Sequence, residues 1–212
     1  MRCLELFGLW GFILAFTFGN VSTRYENIRA AMVEEANIIR TVILRVETFP
    51  DSVQVGLRED VKKYLQTRID YFEYAEDSEK FNKSKQDAVE IGKRLWMRTV
   101  DASHLPDLSF TAATMMTTLS AMYDVGTRRD AMLSSGIPGP ISYMLFFIAI
   151  VISFVGGFTS PVLKTKEWVV ITGFIFLACL IIYITLDLAR PMRGFIRPEV
   201  EQQKIVQLQE LL

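Results

Sequence analysis

The sequence predicts an all-α membrane protein, with three transmembrane helices and a cytoplasmic helical bundle inserted between the first and the second. Two observations predict it. The first is segregation of charge. Although 22% of the 212 residues are charged, no Asp, Glu, Lys or Arg occurs between Glu5 and Arg24, between Asp130 and Lys164, or between Glu167 and Asp187. A soluble domain mixes charged and apolar residues at helix or strand spacing, whereas a bilayer forces them apart. The second is period: outside those stretches apolar residues recur at helix spacing, with few glycines and no β-branched alternation. The expected organisation is a first transmembrane helix in 1–23, a cytoplasmic helical domain in 24–137, transmembrane helices two and three in 138–188, and a cytoplasmic tail in 189–212.

The first span runs from Leu6 to Thr23. One Arg precedes its short apolar core, as in a cleaved leader, but no small-x-small site precedes Ser22, so a retained helix is expected. Three faces can be read on it. Gly8, Gly11, Ala15, Gly19 and Ser22 step by 3, 4, 4 and 3 residues and give a face of small side chains. Such a face lets helix backbones approach closely in lipid. Ile13, Thr17, Asn20 and Arg24 form a second face that turns polar toward the cytoplasm, where Asn20 either caps at the interface or meets water in a pore. Phe12 and Phe16, one turn apart, contact lipid or a neighbouring helix, or form a hydrophobic constriction that gates by dewetting.

The second span runs from about Ile141 to Phe158, after Pro138 and Pro140 and before Gly156, Gly157 and Pro161. Proline is tolerated at a helix start. The third, Trp168 to Leu186, has 19 residues without a charge. At ~1.5 Å per residue it reaches about 28 Å, close to the ~30 Å of hydrocarbon. Trp168, Tyr143 and Tyr183 fall near the span ends, where amphipathic rings collect. Arg24, Arg29, Arg128, Arg129, Arg190, Arg193 and Arg197 lie on one side, against Arg2, Lys164 and Lys166 on the other. The positive-inside bias therefore puts the large domain and the C-terminus in the cytoplasm.

In the inserted domain, Ile28, Met32, Glu35, Ile39, Val42, Val46 and Phe49 keep a 4-3 spacing and form an apolar seam interrupted by one carboxylate. Pro50 and Asp51 break the chain. A second helix presents Leu57, Val61, Tyr64, Leu65, Arg68 and Phe72 on one face, the charged stretch 73–85 reads as a connection, and a third helix carries Ala88, Val89, Leu95 and Trp96. Asp107 is the expected N-cap of a fourth helix reaching about Leu133. That helix has no charge from Leu108 to Tyr123. Thr111, Thr114 and Thr118 either bond back to the preceding turn inside the bundle or line a polar conduit.

A carboxylate on an apolar seam is costly unless paired. Glu35 is expected to meet Arg40, Arg45, Arg128 or Arg129, either as a structural ion pair or as a gating switch. Asp187 and Arg190 can pair at i, i+3, or fix the chain before Pro191. The net charge of −1 argues against a nucleic-acid partner. Cys3 and Cys179 permit no disulfide framework or zinc spacing, and the lone His104 reads as an exposed loop or helix-end residue. No nucleophile elbow, phosphate loop or ligand cluster occurs. Neither catalysis nor a metal or cofactor is expected.

Particular strings carry a resemblance. GFILAFTFGNVSTRYENIRAAMVEEANIIRTVILRVETFPD, LSAMYDVGTRRDAML and DLARPMRGFIR are similar to segments of the bestrophin-like domain family of bacterial membrane proteins. The resemblance covers most of the chain from Gly8 to Arg197. It falls on Glu35, Ala36, Asn37, Leu44, Arg45, Tyr64, Trp96, Asp124, Arg128, Asp187, Arg190, Pro191 and Gly194. Ala189 stands where the family usually has a second Asp, Ser120 where Asn is common, and members often have another spanning helix upstream. Glu35, Arg45, Asp124, Arg128, Asp187 and Arg190 are thus candidates for structural or gating ion pairs. By resemblance the expected assembly is a homo-oligomer, a pentamer, in the inner membrane. Its expected function is channel-like passage of small ions, anions favoured, through a ring lined by the first span. The alternative is a membrane-tethered scaffold or sensor that binds a protein through its cytoplasmic domain.

Overall fold

The computed structural model describes the backbone of residues 2–134, 143–144, 146–151, 153–154 and 165–212, and side chains from residue 8 onward except 134–142, 145, 152, 155–168, 170, 171 and 174. Pro138, Pro140, Gly156, Gly157 and Pro161, both ends of the expected second span, Lys164, and the side chains of Arg2, Cys3, Leu6, Lys166 and Trp168 lie outside the described residues. Every described element is helical.

Helix α1 runs unbroken from Arg2 to Val46, 45 residues, or about 68 Å at ~1.5 Å per residue. It joins the expected first span to the first cytoplasmic helix. No Gly or Pro occurs between Gly19 and Pro50, so nothing in the sequence interrupts the hydrogen-bond ladder. Pro50, at φ −65°, precedes α2 (Asp51–Glu73), and its carbonyl accepts from Val53 and Gln54 at 2.9 Å each. Helix α3 spans Ser78–Ser103; Asp77 caps it by accepting from the amides of Glu79 and Lys80. The link between α2 and α3 is therefore far shorter than the expected connection 73–85, because the charged residues from Ser78 onward form the first turns of α3. Helix α4 spans Ser109–Ser134. Asp107 does not cap it: Asp107 sits in the left-handed region (φ 64°), and the carbonyl of Leu108 accepts the first α4 bond, from Ala112 at 2.8 Å. Helix α5 follows at Thr165–Leu188, then α6 at Glu199–Val206 and a 3₁₀ turn at Gln207–Leu211.

The chain divides into two compact units, one of Met1–Glu26 with Ser135–Ile196, the other of Asn27–Ser134 with Arg197–Leu212. In the second, the α1 seam from Ile39 to Phe49 packs with Leu57, Val61 and Leu65 of α2, Leu95 of α3, and Met115, Leu119 and Met122 of α4. Ile205 and Leu208 complete this core, helped by Arg29 on Glu201 (2.7 Å) and Arg197 on Glu76 (2.8 Å). Residues 197–212 thus belong to the helical domain, and only the first part of the expected tail 189–212 stays with the other unit.

Among its described residues the first unit has two small apolar clusters. Trp10, Leu14 and Ile182 form one; Val21, Tyr25, Leu188 and Ala189 form the other. Arg24 donates to the carbonyl of Ala189 (3.2 Å). After α5, Asp187 accepts from the amides of Phe195 (2.7 Å) and Ile196 (2.8 Å) and folds residues 187–196 into a tight turn. Gly194 is needed there, since a Cβ would stand 2.7 Å from the Asp187 carbonyl oxygen.

Among the described residues, no helix is long and apolar enough to cross a membrane. In α1 the apolar stretch is short and diluted by Thr17, Asn20 and Ser22.

Candidate functional site

The seam carboxylate organises the second unit. Glu35 of α1 is fully buried, with Arg68 Nε of α2 at 2.6 Å from Oε1 and Arg129 Nη1 of α4 at 2.5 Å from Oε2. Arg68 Nη2 also reaches Asp130 Oδ1 at 3.2 Å. Both guanidinium carbons lie 5.0 Å from the ring centre of Tyr71, within cation–π range. Two carboxylates balance two guanidinium groups, which is the condition under which buried charge is tolerated. The two arginines are held differently. Arg68 makes aligned hydrogen bonds to both acids, whereas no N–H of Arg129 is aligned for one, so that contact is charge against charge.

Ionisation follows from these distances. Burial pushes the Glu35 carboxyl up, but the charges of Arg129 and Arg68 outweigh it and hold the group below its ordinary range. For Arg68, burial pulls downward and Glu35 wins, so its proton is held more tightly. Burial and repulsion from Arg68 lower Arg129, although a guanidinium stays charged regardless. Burial pushes the Tyr64 hydroxyl up to about 12, and Tyr71 rises through burial and its neighbour Asp130. The cluster is a closed, neutral clasp across α1, α2 and α4.

Of the expected partners of Glu35, only Arg129 meets it. Arg40 is exposed, Arg45 donates to the Thr114 carbonyl, and Arg128 pairs with exposed Glu34. Helix phase decides this. Arg129 continues the buried row of Ala112, Met115, Leu119 and Met122, and Arg128 sits one step off it. Asp124 is exposed on α4 and does not pair with Arg128. Arg68 carried a readable signal, a cation on an apolar helix face, which sequence reasoning did not connect to the seam carboxylate. Asp187 likewise spends both oxygens on backbone amides and does not pair with the Arg190 side chain.

The threonine row of α4 turns into its own helix. Thr114 donates to the Thr111 carbonyl (2.8 Å) and Thr118 to that of Thr114 (3.0 Å), while Thr118 is buried and Thr111 half-buried. On α1, Thr17 is buried and donates to the Ile13 carbonyl (2.8 Å). Asn20 is exposed, and Phe12 (69% exposed) and Phe16 (65%) stack at 6.5 Å with their rings outward. A Cβ on Gly8, Gly11 or Gly19 would meet nothing within 4 Å, Ala15 is exposed, and Ser22 is half-buried. Among the described residues nothing packs directly against the glycines of the small-residue face, although Gly11 and Ala15 line a cavity with Leu177, Ala178 and Ile181. His104 is exposed at the C-cap of α3. Among the described residues, no group of three His, Cys, Asp or Glu could hold a metal.

The model of the bestrophin-like domain family matches residues 7–201, which include the Glu35 clasp, the exposed face of α1 and the Asp187 turn. The chain belongs to the bestrophin-like family. No curated protein and no solved structure matches it. In this bestrophin-like chain Ile205 and Leu208, though outside the matched segment, still complete the core.

Proposed function

We propose that this bestrophin-like chain is one protomer of a homo-oligomeric, channel-like assembly in the inner membrane, rather than an enzyme. Three spans insert in the bilayer, and the clasp-bearing unit and the C-terminus lie in the cytoplasm. The observation that carries this reading is the exterior of the first unit. Phe12 and Phe16 stand out on α1, Phe146, Phe147 and Ile150 on the middle segment, and Phe176 on α5, all exposed. Lipid or a neighbouring protomer would cover these large apolar side chains. Three spans cannot enclose a pore in one chain, so the reading requires a symmetric ring. The small-residue face of α1 suits the contact between protomers, and Phe12 and Phe16 suit an apolar neck passing small ions.

The scaffold alternative is weakened at the surface that motivated it. From Ile28 to Phe49 the seam residues are buried in the chain itself and offer nothing to a partner. Two measurements test the proposal: the mass of the intact particle in detergent, and ion flux in liposomes with Phe16→Ala alongside the native chain. A closed ring of four or more and a flux altered by the substitution are expected. A monomer or dimer with no flux sinks it.

A further inference from the structure

Between α2, α3 and α4, over the Arg68–Asp130 edge of the clasp, lies a cleft of about 540 Å³. That volume falls within the ~300–1,000 Å³ usual for small-molecule sites. It exists because small residues face one another across the helices, Ala88 and Gly92 on α3 and Ser120 and Gly126 on α4. Close approach is enforced at Gly92, whose carbonyl accepts from the Tyr123 hydroxyl at 2.5 Å and where a Cβ would sit 3.0 Å from that ring. Three aromatic side chains, Tyr64, Trp96 and Tyr123, line the space.

Its charge is uneven. At the floor, Arg68 and Asp130 satisfy each other at 3.2 Å. Lys85 and Lys93, eight residues apart on the same face of α3, also line the cleft, both exposed, and among the described residues neither has a carboxylate within ion-pair distance. Cleft-lining cations thus exceed carboxylates by two, and the excess sits with the lysines. An apolar cavity with aromatic lining and unpaired ammonium groups selects an amphipathic anion.

We propose that this cleft binds a small organic anion whose flat apolar body lies against Trp96 and Tyr123 while its carboxylate is held by Lys85 and Lys93. The site is independent of ion passage, and its test involves no flux. Benzoate is titrated into the full chain in detergent by calorimetry, with benzamide as the uncharged analogue, acetate as the anion without a ring, and inorganic phosphate as the anion without an apolar body. Saturable benzoate binding is expected. A hydrogen-bonded charge contributes about 1.5–3 kcal/mol, so benzamide and the Lys85→Gln/Lys93→Gln variant each bind about tenfold more weakly or worse. Both lysines are exposed, so this variant folds. Ser120→Leu, which fills the cleft from an exposed position, abolishes binding. Benzoate that fails to saturate, or binds the double variant and benzamide as well as it binds the native chain, overturns the site. Phosphate binding as tightly as benzoate overturns the ligand class.

Discussion

The two units of this chain solve opposite problems. The Asn27–Ser134 and Arg197–Leu212 unit builds one large apolar core, although Phe110, Val55 and Val89 stay outside it, and, unusually, hides charge with that core: Glu35, Arg68 and Arg129 are all essentially inaccessible. Among its described residues, the Met1–Glu26 and Ser135–Ile196 unit keeps small clusters inside and turns Phe12, Phe16, Phe147 and Phe176 outward. Where water is the surroundings, apolar area is what must be removed and polar groups must be paired. Where lipid is the surroundings, apolar area can stay outside, and only the backbone and the few polar groups need internal partners. One habit is common to both units: Thr17 and Thr185 are buried with their hydroxyls on the carbonyls of Ile13 and Ile181, as are Thr99 and Thr118 on those of Leu95 and Thr114.

That contrast can be broken most directly at the clasp. Glu35→Ala leaves two buried guanidinium groups facing Asp130 alone, and removing one partner of a buried pair costs about 3–5 kcal/mol. Urea unfolding followed by far-ultraviolet circular dichroism should show a loss of that size; a loss below ~1 kcal/mol would mean that charge does not organise this unit. Next come matched truncations. Leu65→Ala, in the buried core, should cost roughly 2–5 kcal/mol, whereas Phe12→Ala, on the exposed face, should change protomer stability by no more than about 0.5 kcal/mol and act on assembly instead. Equal effects would erase the distinction between the units.

Acid and base sharpen it further. Glu35 is held below its ordinary range, so its contribution is complete above the unfolded value of about 4.3 and is lost as pH falls through the lower folded value. Tyr64 is raised, so its contribution is complete below about 10 and is lost as pH rises toward about 12, a cost of roughly 2–3 kcal/mol. Stability curves of native chain and Tyr64→Phe should diverge only on that alkaline limb. Gly194→Ala should destabilise the turn after α5 by about 1–3 kcal/mol through overpacking against Asp187, read as faster amide exchange at Phe195 and Ile196. Smallest of all, Arg128→Ala removes an exposed pair with Glu34 and should cost under ~1 kcal/mol in the same urea titration.

Much of the helical unit was legible because burial there writes a period into the sequence. Ile28 to Phe49 kept a 4-3 spacing, and every one of those residues is buried. Glu35 stood out as the one carboxylate on that seam, and Arg129 was among its expected partners. What stayed hidden was pairing across helices. Arg68 lies 33 residues from Glu35, and no local pattern links two helix faces at that separation. Choosing Arg129 over Arg128 required the phase of α4, and its threonines drew attention to the neighbouring face. In the other unit the stripes of α1 were visible, but only neighbours decide which stripe is covered. Thr17 proved to be inside and Gly11 outside because Trp10 and Leu14 pack with Ile182.

The core of the helical unit is finished by Ile205 and Leu208, which are synthesised after the whole intervening stretch 135–196. Domains otherwise fold largely in order of emergence, N-terminal parts first. Here residues 27–134 wait, with their core incomplete, while the intervening stretch is made. Arg29 finds Glu201 only after that. Completion of the clasp-bearing unit is thereby a report that everything between has been translated, and a chain truncated before residue 197 would be exposed to proteolysis as an open bundle.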